Sequence, residues 1–264
     1  MKRIGFLGAA AILAVSACST PVRVIVAAGT TLVDSGILDE LVSRYEADHP
    51  DVELSVVGES TARILDLGRK GAADLLITHA PELEAGFVAE GRAARYDPVM
   101  ESRFVLAGPT QANLGLPSLA GEAFGEIARR GDLFVSRSDG SGTHQKELEL
   151  WSQAGVDPSG MSWYLETGQG MGLTLQVADQ RQAFVLSEIG AFLAAAPALS
   201  LEIVPLADDP VLINPYQLIV VSGSQAEPAA AAFAAWLRSA EGREAMISAN
   251  RDLFGEVVYQ PVGS

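Results

Sequence analysis

From Val22 onward the chain alternates short apolar runs with stretches whose apolar positions recur every three or four residues. Val22 to Ala27 reads as a strand, followed by a helix from about Asp34 to Asp48 with Ile37, Leu38, Leu41 and Tyr45 on one face. Val52 to Val57 and Ala73 to Thr78 predict two more strands, with a helix over Thr61 to Lys70 between them. That order of elements is the pattern of a parallel sheet flanked by helices. A second alternating unit follows, with a helix near Leu119 to Arg130, a strand Asp132 to Ser136 and a helix Thr143 to Ala154. It continues with a helix Gly172 to Asp179 and a strand Gln182 to Leu186.

Two apolar strands entered or left through Pro or Gly, Arg103 to Pro109 and Asn214 to Ser222, bracket that second unit. They predict two crossings and therefore an α/β, two-lobed architecture, with residues 22–106 plus 217–264 in lobe 1 and 107–216 in lobe 2. Two helices, about Pro228 to Ser239 and Glu241 to Asn250, close the chain, and the tail Leu253 to Pro261 reads as irregular or weakly extended. Ligands of such folds sit at the C-terminal ends of strands and between lobes.

The start of the chain changes the picture of where the protein works. Lys2 and Arg3 precede an apolar or small run from Ile4 to Val15, and Val15-Ser16-Ala17-Cys18 follows, so residues 1–18 read as an export signal. The run is too short to span a bilayer comfortably. Val-Ser-Ala-Cys resembles the bacterial lipoprotein box, which implies cleavage before Cys18 and a lipid anchor on it in the periplasm. Plain secretory cleavage after Ala17 is the alternative. Cys18 is the sole cysteine, so the exported part holds no internal disulfide and relies on its hydrophobic core.

Against 18 basic residues stand 33 acidic ones, a formal charge of −15, which argues against a nucleic-acid partner. An acidic protein that binds an anion must do so through concentrated local donors, because its overall field repels the ligand. Ser136 to His144, SRSDGSGTH, is such a concentration at the predicted start of a helix. Unpaired N–H groups, small residues, hydroxyls and the guanidinium of Arg137 together suit an oxyanion. A second hydroxyl turn, Gly29-Thr30-Thr31, follows the first strand, so two strand-to-helix turns suggest two jaws.

These residues carry a wider likeness, through Asp34-Ser35-Gly36, Gly58, Asp74 to Pro81 (DLLITHAP), Phe104 to Pro109 (FVLAGP) and Ser136 to Glu147 (SRSDGSGTHQKE). Trp151, Trp163 to Gly172 (WYLETGQGMG) and Asn214-Pro215-Tyr216 extend it over nearly all of the mature chain. The sequence resembles the periplasmic tungstate-binding proteins of ABC importers, within the class II substrate-binding fold. The resemblance implies a tetrahedral oxyanion held by Thr30, Thr31, Arg137, Ser141, Gly142 and Thr143. The first turn departs from the family, which commonly has three threonines and a serine where this chain has Ala28-Gly29-Thr30-Thr31. Ser60 and Thr61, at positions often Gly and Gln, are candidate substitute donors. An ABC permease is the implied partner; a monomer and no cofactor are expected.

Rival chemistries remain at the level of sequence. A fully ionised dianion such as tungstate, molybdate or sulfate wants donors only, whereas phosphate carries a proton and wants an acceptor. Asp139 is that acceptor if it faces the cleft, and neither helps nor repels if it caps the helix. A serine hydrolase would pair Ser141 with His144, but the glycine spacing of a nucleophile elbow is absent. His49, His79 and His144 are scattered without metal-ligand spacing, so no metal is expected. His79 reads first as a buried, hydrogen-bonded residue. An anion-sensing adaptor that feeds no transporter would have the same fold and site.

Overall fold

The computed structural model describes residues 20–262. The lipobox Cys18 and the segment before it lie outside the described residues. The first strand, β1 (Val22–Gly29), shows why a period of two builds this sheet: Val24, Val26 and Ala28 enter one core layer and Ala27 the opposite one. A short helix α1 (Thr30–Asp34) follows directly, and Gly36, with φ of 79°, breaks the chain before α2 (Ile37–Asp48). Then come β2 (Val52–Glu59), α3 (Thr61–Arg69), β3 (Leu75–Thr78), α4 (Pro81–Ala89) and the 16-residue β4 (Ala93–Gly108).

The second unit comprises α5 (Ala120–Arg130), β5 (Phe134–Ser136), α6 (Gly142–Gln153), β6 (Tyr164–Glu166) and α7 (Met171–Arg181). It ends with β7 (Val185–Glu188), α8 (Ile189–Ala195) and β8 (Glu202–Ile203). The chain returns through β9 (Ile213–Val221) to α9 (Glu227–Arg238), α10 (Ala240–Phe254) and β10 (Gln260–Pro261).

Strand pairing divides the molecule into two lobes. In the first, the order is β10-β4-β9-β3-β1-β2, with β1 parallel to β2 and β3 and the rest antiparallel. Strand β4 pairs with β9 through Arg103 and with β7 from Phe104, so one continuous strand serves both lobes. The core of lobe 1 lies on both faces of its sheet, under α2, α9 and α10 on one side and α3 and α4 on the other. Lobe 2 is built alike, with α5 and α6 over one layer and α7 and α8 over the other.

Most predicted elements form within a few residues of their expected bounds, and the differences have physical causes. Helix α2 begins at Ile37 rather than Asp34, because α1 uses Asp34 and the left-handed Gly36 separates the two. Helix α4 escaped the sequence reading, although Pro81 is a favoured first residue, because its inward face buries a charged residue, Glu84, whose carboxylate accepts from Ala80 N–H and Tyr96 O–H, both at 2.8 Å. Helix α8 (IGAFLAA) is almost uniformly apolar and shows no helical period. The tail is more ordered than expected: buried Asn250 accepts from the N–H groups of Val258 and Tyr259 and donates to Met246 and Tyr259 carbonyls, which fixes β10 against β4. Among the described residues no helix is long and apolar enough to cross a membrane.

The core of lobe 2 contains one unusual group. Glu147 on α6 is 2% exposed and accepts from Tyr164 O–H at 2.6 Å and Trp151 Nε1–H at 3.2 Å. Burial outweighs these bonds and pushes its carboxyl up to about 7. The folded state therefore keeps a proton that the unfolded state releases above its ordinary value near 4.5, and stability falls as pH rises from there through about 7. Thermal unfolding from pH 5 to 8 should show wild type losing stability relative to Glu147→Gln, by on the order of 1–3 kcal/mol across that window. Parallel curves for the two proteins would remove Glu147 as the cause.

Candidate functional site

The lobe-2 jaw is a tight turn between β5 and α6. Ser138, with φ of 46°, and Gly140, with φ of 72°, both adopt left-handed backbone, which swings the chain around Arg137. Ser138 N–H donates to Ser136 Oγ and Ser138 O–H to Glu166, tying the turn to the neighbouring strand β6. Helix α6 then starts on Ser141, whose hydroxyl oxygen accepts from the N–H of His144. This geometry leaves the Arg137 side chain inward and 1% exposed.

A buried guanidinium requires partners, and its Nη2 finds two: Asp139 Oδ2 at 2.5 Å and Thr30 Oγ1 at 2.9 Å. The other Asp139 oxygen accepts from Ser141 N–H at 3.1 Å. Asp139 thus both pairs with Arg137 and supports the start of α6. Arg137 Nε and Nη1 have no protein partner, and neither do the buried hydroxyls of Thr143 and Thr61. A buried donor left unmatched costs about 1–3 kcal/mol, more when charged. The free donors of Arg137 and Thr143, which share the turn between β5 and α6, have the chemistry of an anion site.

The lobe-1 jaw is the β1–α1 turn. Thr30 opens α1 and meets Arg137 across the cleft, while Thr31 is fully buried and its hydroxyl shares a hydrogen bond of 3.2 Å with Tyr216 O–H. Ser60 precedes α3 without making a cap bond, and Thr61 is its first residue. Their turn packs on α1 through Gly58 and Val33, so they flank the first jaw within lobe 1.

Three residues beyond the expected set join the site. Buried His79 directly follows β3, stacks on Tyr216 and bonds Asn214 Oδ1 at 2.9 Å, while Asn214 donates its amide to Ser102 Oγ. That orientation makes His79 Nδ1 the donor, and burial, with Arg137 nearby, lowers the ring to about 4, so it is neutral. His79 is hydrogen-bonded, as expected, but it also touches both jaws: an added Cβ on Gly142 would clash with it, and one on Gly29 would rest in ordinary contact with its ring at 3.4 Å. Asp34 is the third, accepting from Gly172 N–H in lobe 2 at 3.1 Å. Burial raises its carboxyl, against the lowering effects of Gly172 N–H and Arg137. His79 and Asn214 stand at the same strand ends as the recognised donors, a positional signal that sequence order alone did not convert into contact.

The serine-hydrolase alternative loses geometric support. Ser141 Oγ meets the backbone of His144, not its ring, and His144 Nδ1 accepts from Gly140 N–H, so no serine–histidine dyad is assembled. A cavity of about 560 Å³ lies on the hinge side, lined by Pro81, Phe104, Lys146 and Pro215, but His79 and Gly142 form its wall and neither Arg137 nor Thr30 lines it. It is far larger than a single tetrahedral anion, and Glu82 and Glu149 on its wall would repel one. Among the described residues no cluster of three or more His, Cys, Asp or Glu side chains suits a metal.

Known proteins of this shape carry related names. A family model described as a PBP superfamily domain matches residues 14–241. The tungstate-binding protein TupA of Peptoclostridium acidaminophilum is 33% identical over 90% of this chain and 85% of its own length. A tungstate ABC transporter structure from Geobacter sulfurreducens superposes with a TM-score of 0.77 at 34% identity, covering 85% of this chain and 97% of that one. The tungstate-binding protein of Desulfovibrio alaskensis superposes with a TM-score of 0.74 at 29% identity, covering 92% of this chain and all of its own.

The jaws meet where Gly142 lies against His79. A Cβ at position 142 would fall 2.5 Å from the His79 carbonyl oxygen and 2.8 Å from its ring. Gly142→Ala should therefore hold the lobes apart and weaken anion binding at least about tenfold, about 1.4 kcal/mol, while each lobe keeps its fold. Calorimetric titration together with circular dichroism checks this; unchanged affinity would show that the jaws do not close on that contact.

Proposed function

This chain belongs to the PBP superfamily, in the family of the tungstate-binding protein TupA, and from that premise we propose that it captures tungstate between its lobes and delivers it to an ABC importer. The observation that carries this reading is the set of buried donors without protein partners, Arg137 Nε and Nη1 with the hydroxyls of Thr143 and Thr61. Thr30, Thr31, Ser60, Ser141 and Gly142 complete the proposed cage, the first through its bond to Arg137 and the last by letting backbone approach. An anchor on Cys18 would hold the receptor at the periplasmic face of a membrane, beside its permease, as a monomer.

Ligand choice follows from Asp139. Both of its oxygens are engaged, one by Arg137 and one by Ser141 N–H. Each oxygen keeps a second lone pair, so a protonated phosphate would have to share an oxygen already engaged by Arg137 or Ser141, whereas a fully ionised dianion needs only the free donors. This favours tungstate or its close analogue molybdate over phosphate. The wider family likeness puts tungstate first. The two lobes swing about the strands that join them, and the permease reads the closed, liganded form.

Titration calorimetry with tungstate, molybdate, sulfate and phosphate tests this directly. Tungstate should bind tightly and phosphate should not. Arg137→Ala removes two or more charge-assisted bonds and should weaken tungstate binding by about 100-fold or more. Tight phosphate binding would instead make Asp139 an acceptor, and heatless titrations with all four anions would overturn the oxyanion assignment.

A further inference from the structure

We propose that Asp34 is a closure latch, a lobe-1 carboxylate that caps helix α7 of lobe 2 and so positions the two jaws around the anion without touching it. The proposal rests on the oxyanion-binding reading above, and it assigns to Asp34 a positioning role.

Helix α7 lacks a cap of its own. Its N-cap residue is Gly170, which has no side chain to offer, its first turn contains no acidic residue, and no side chain of lobe 2 bonds its leading N–H groups. Such groups are stabilised by an acceptor, and a carboxylate also meets the positive end of the helix dipole. Asp34 supplies that acceptor from 138 residues away, with Oδ2 at 3.1 Å from Gly172 N. The cap is formed in trans, so it exists only while the lobes are together.

Helix α1 couples this latch to the anion site. Thr30 and Asp34 are four residues apart on the same five-residue helix and therefore share a face. One end of that face presents the Thr30 hydroxyl to Arg137 and the other presents Asp34 to α7. Gly170 packs against Thr30, at 3.8 Å from its methyl to an added Cβ, so both bonds span the same narrow seam. The helix is held stiffly: Ser35 N–H bonds Thr31 O, and the buried Ser35 hydroxyl bonds Leu32 O at 2.9 Å. Forming either cross-lobe bond aligns the partner of the other.

A contact present only in the closed form raises apparent affinity by enlarging the closed fraction before ligand arrives. Its loss should therefore weaken binding although no ligand contact is removed. The competing effect has the opposite sign: deleting a negative charge beside a dianion site removes repulsion and tightens binding. Direction alone separates the two.

The test compares wild type, Asp34→Ala and Asp34→Asn by tungstate calorimetry, with hydrogen exchange at the Gly172 amide measured without ligand. Asp34→Ala should raise the dissociation constant about 2- to 30-fold, the span expected from losing a helix cap, and should speed exchange at Gly172. Asp34→Asn keeps an acceptor oxygen and should stay within about threefold of wild type. Unchanged or tighter binding by Asp34→Ala overturns the latch. Wild type failing to bind tungstate would overturn the transport reading instead, and the exchange experiment would still decide the latch, since unaltered protection at Gly172 in Asp34→Ala refutes it.

Discussion

A guanidinium removed from water is the constraint around which this molecule is organised. Arg137 is 1% exposed, and a charge so deeply buried is tolerated only with a counter-charge and hydrogen bonds. Asp139 provides the counter-charge from the same turn, and Thr30 provides a bond from the other lobe. Left-handed backbone at Ser138 and Gly140 turns the chain beside the Arg137–Asp139 pair, and the Ser141 cap starts α6 next to it. The pair is arranged so that Nη2 is used by the protein while Nε and Nη1 are not. One side chain thus carries both satisfied and unmatched donors.

The contacts between the lobes combine polar bonds with apolar packing, since Ile189 and Leu193 of α8 lie against the lobe-1 core. Inside each lobe the joining force is apolar burial on both faces of a sheet. At the front of the cleft the lobes meet through two polar bonds, Thr30 to Arg137 and Asp34 to Gly172, and one close steric contact, Gly142 on His79. Polar bonds exchange readily with water and contribute only about 0.5–1.5 kcal/mol each in net terms, so this part of the seam is weakly held. Behind them the lobes stay joined through continuous β4 and through the buried bond from Tyr259 O–H to Glu188 at 2.7 Å.

The overall charge of −15 and the ligand's own charge stand in opposition, and the fold resolves this by range. Exposed carboxylates act over a distance set by salt, whereas donors in a dry cleft act at contact and are little screened. Neutral His79 beside the jaws adds to this economy of charge: its burial keeps the ring unprotonated, so stacking on Tyr216 and its bond to Asn214 do not add a cation that would need a further partner.

Much of this was written in the local pattern. Short apolar runs marked β1, β2 and β3, helical stretches marked α2, α3 and α5, and the SRSDGSGTH run announced a donor-rich helix start at Arg137, because propensity, capping and chemistry are properties of neighbours in sequence. What local pattern could not encode was distance across the cleft. That Asp34 caps a helix 138 residues away, that His79 lies between Gly29 and Gly142, and that Asp139 spends both oxygens within its own turn are outcomes of how two lobes pack. Helices α4 and α8 were hidden for the related reason that burial on nearly all sides, or a buried Glu84 paired with Tyr96, erases the amphipathic period. The sequence by itself determined the elements and the kind of chemistry they carry. Only the tertiary structure decided which donors remain free for a ligand, because a hydrogen bond is satisfied or left open by proximity in space.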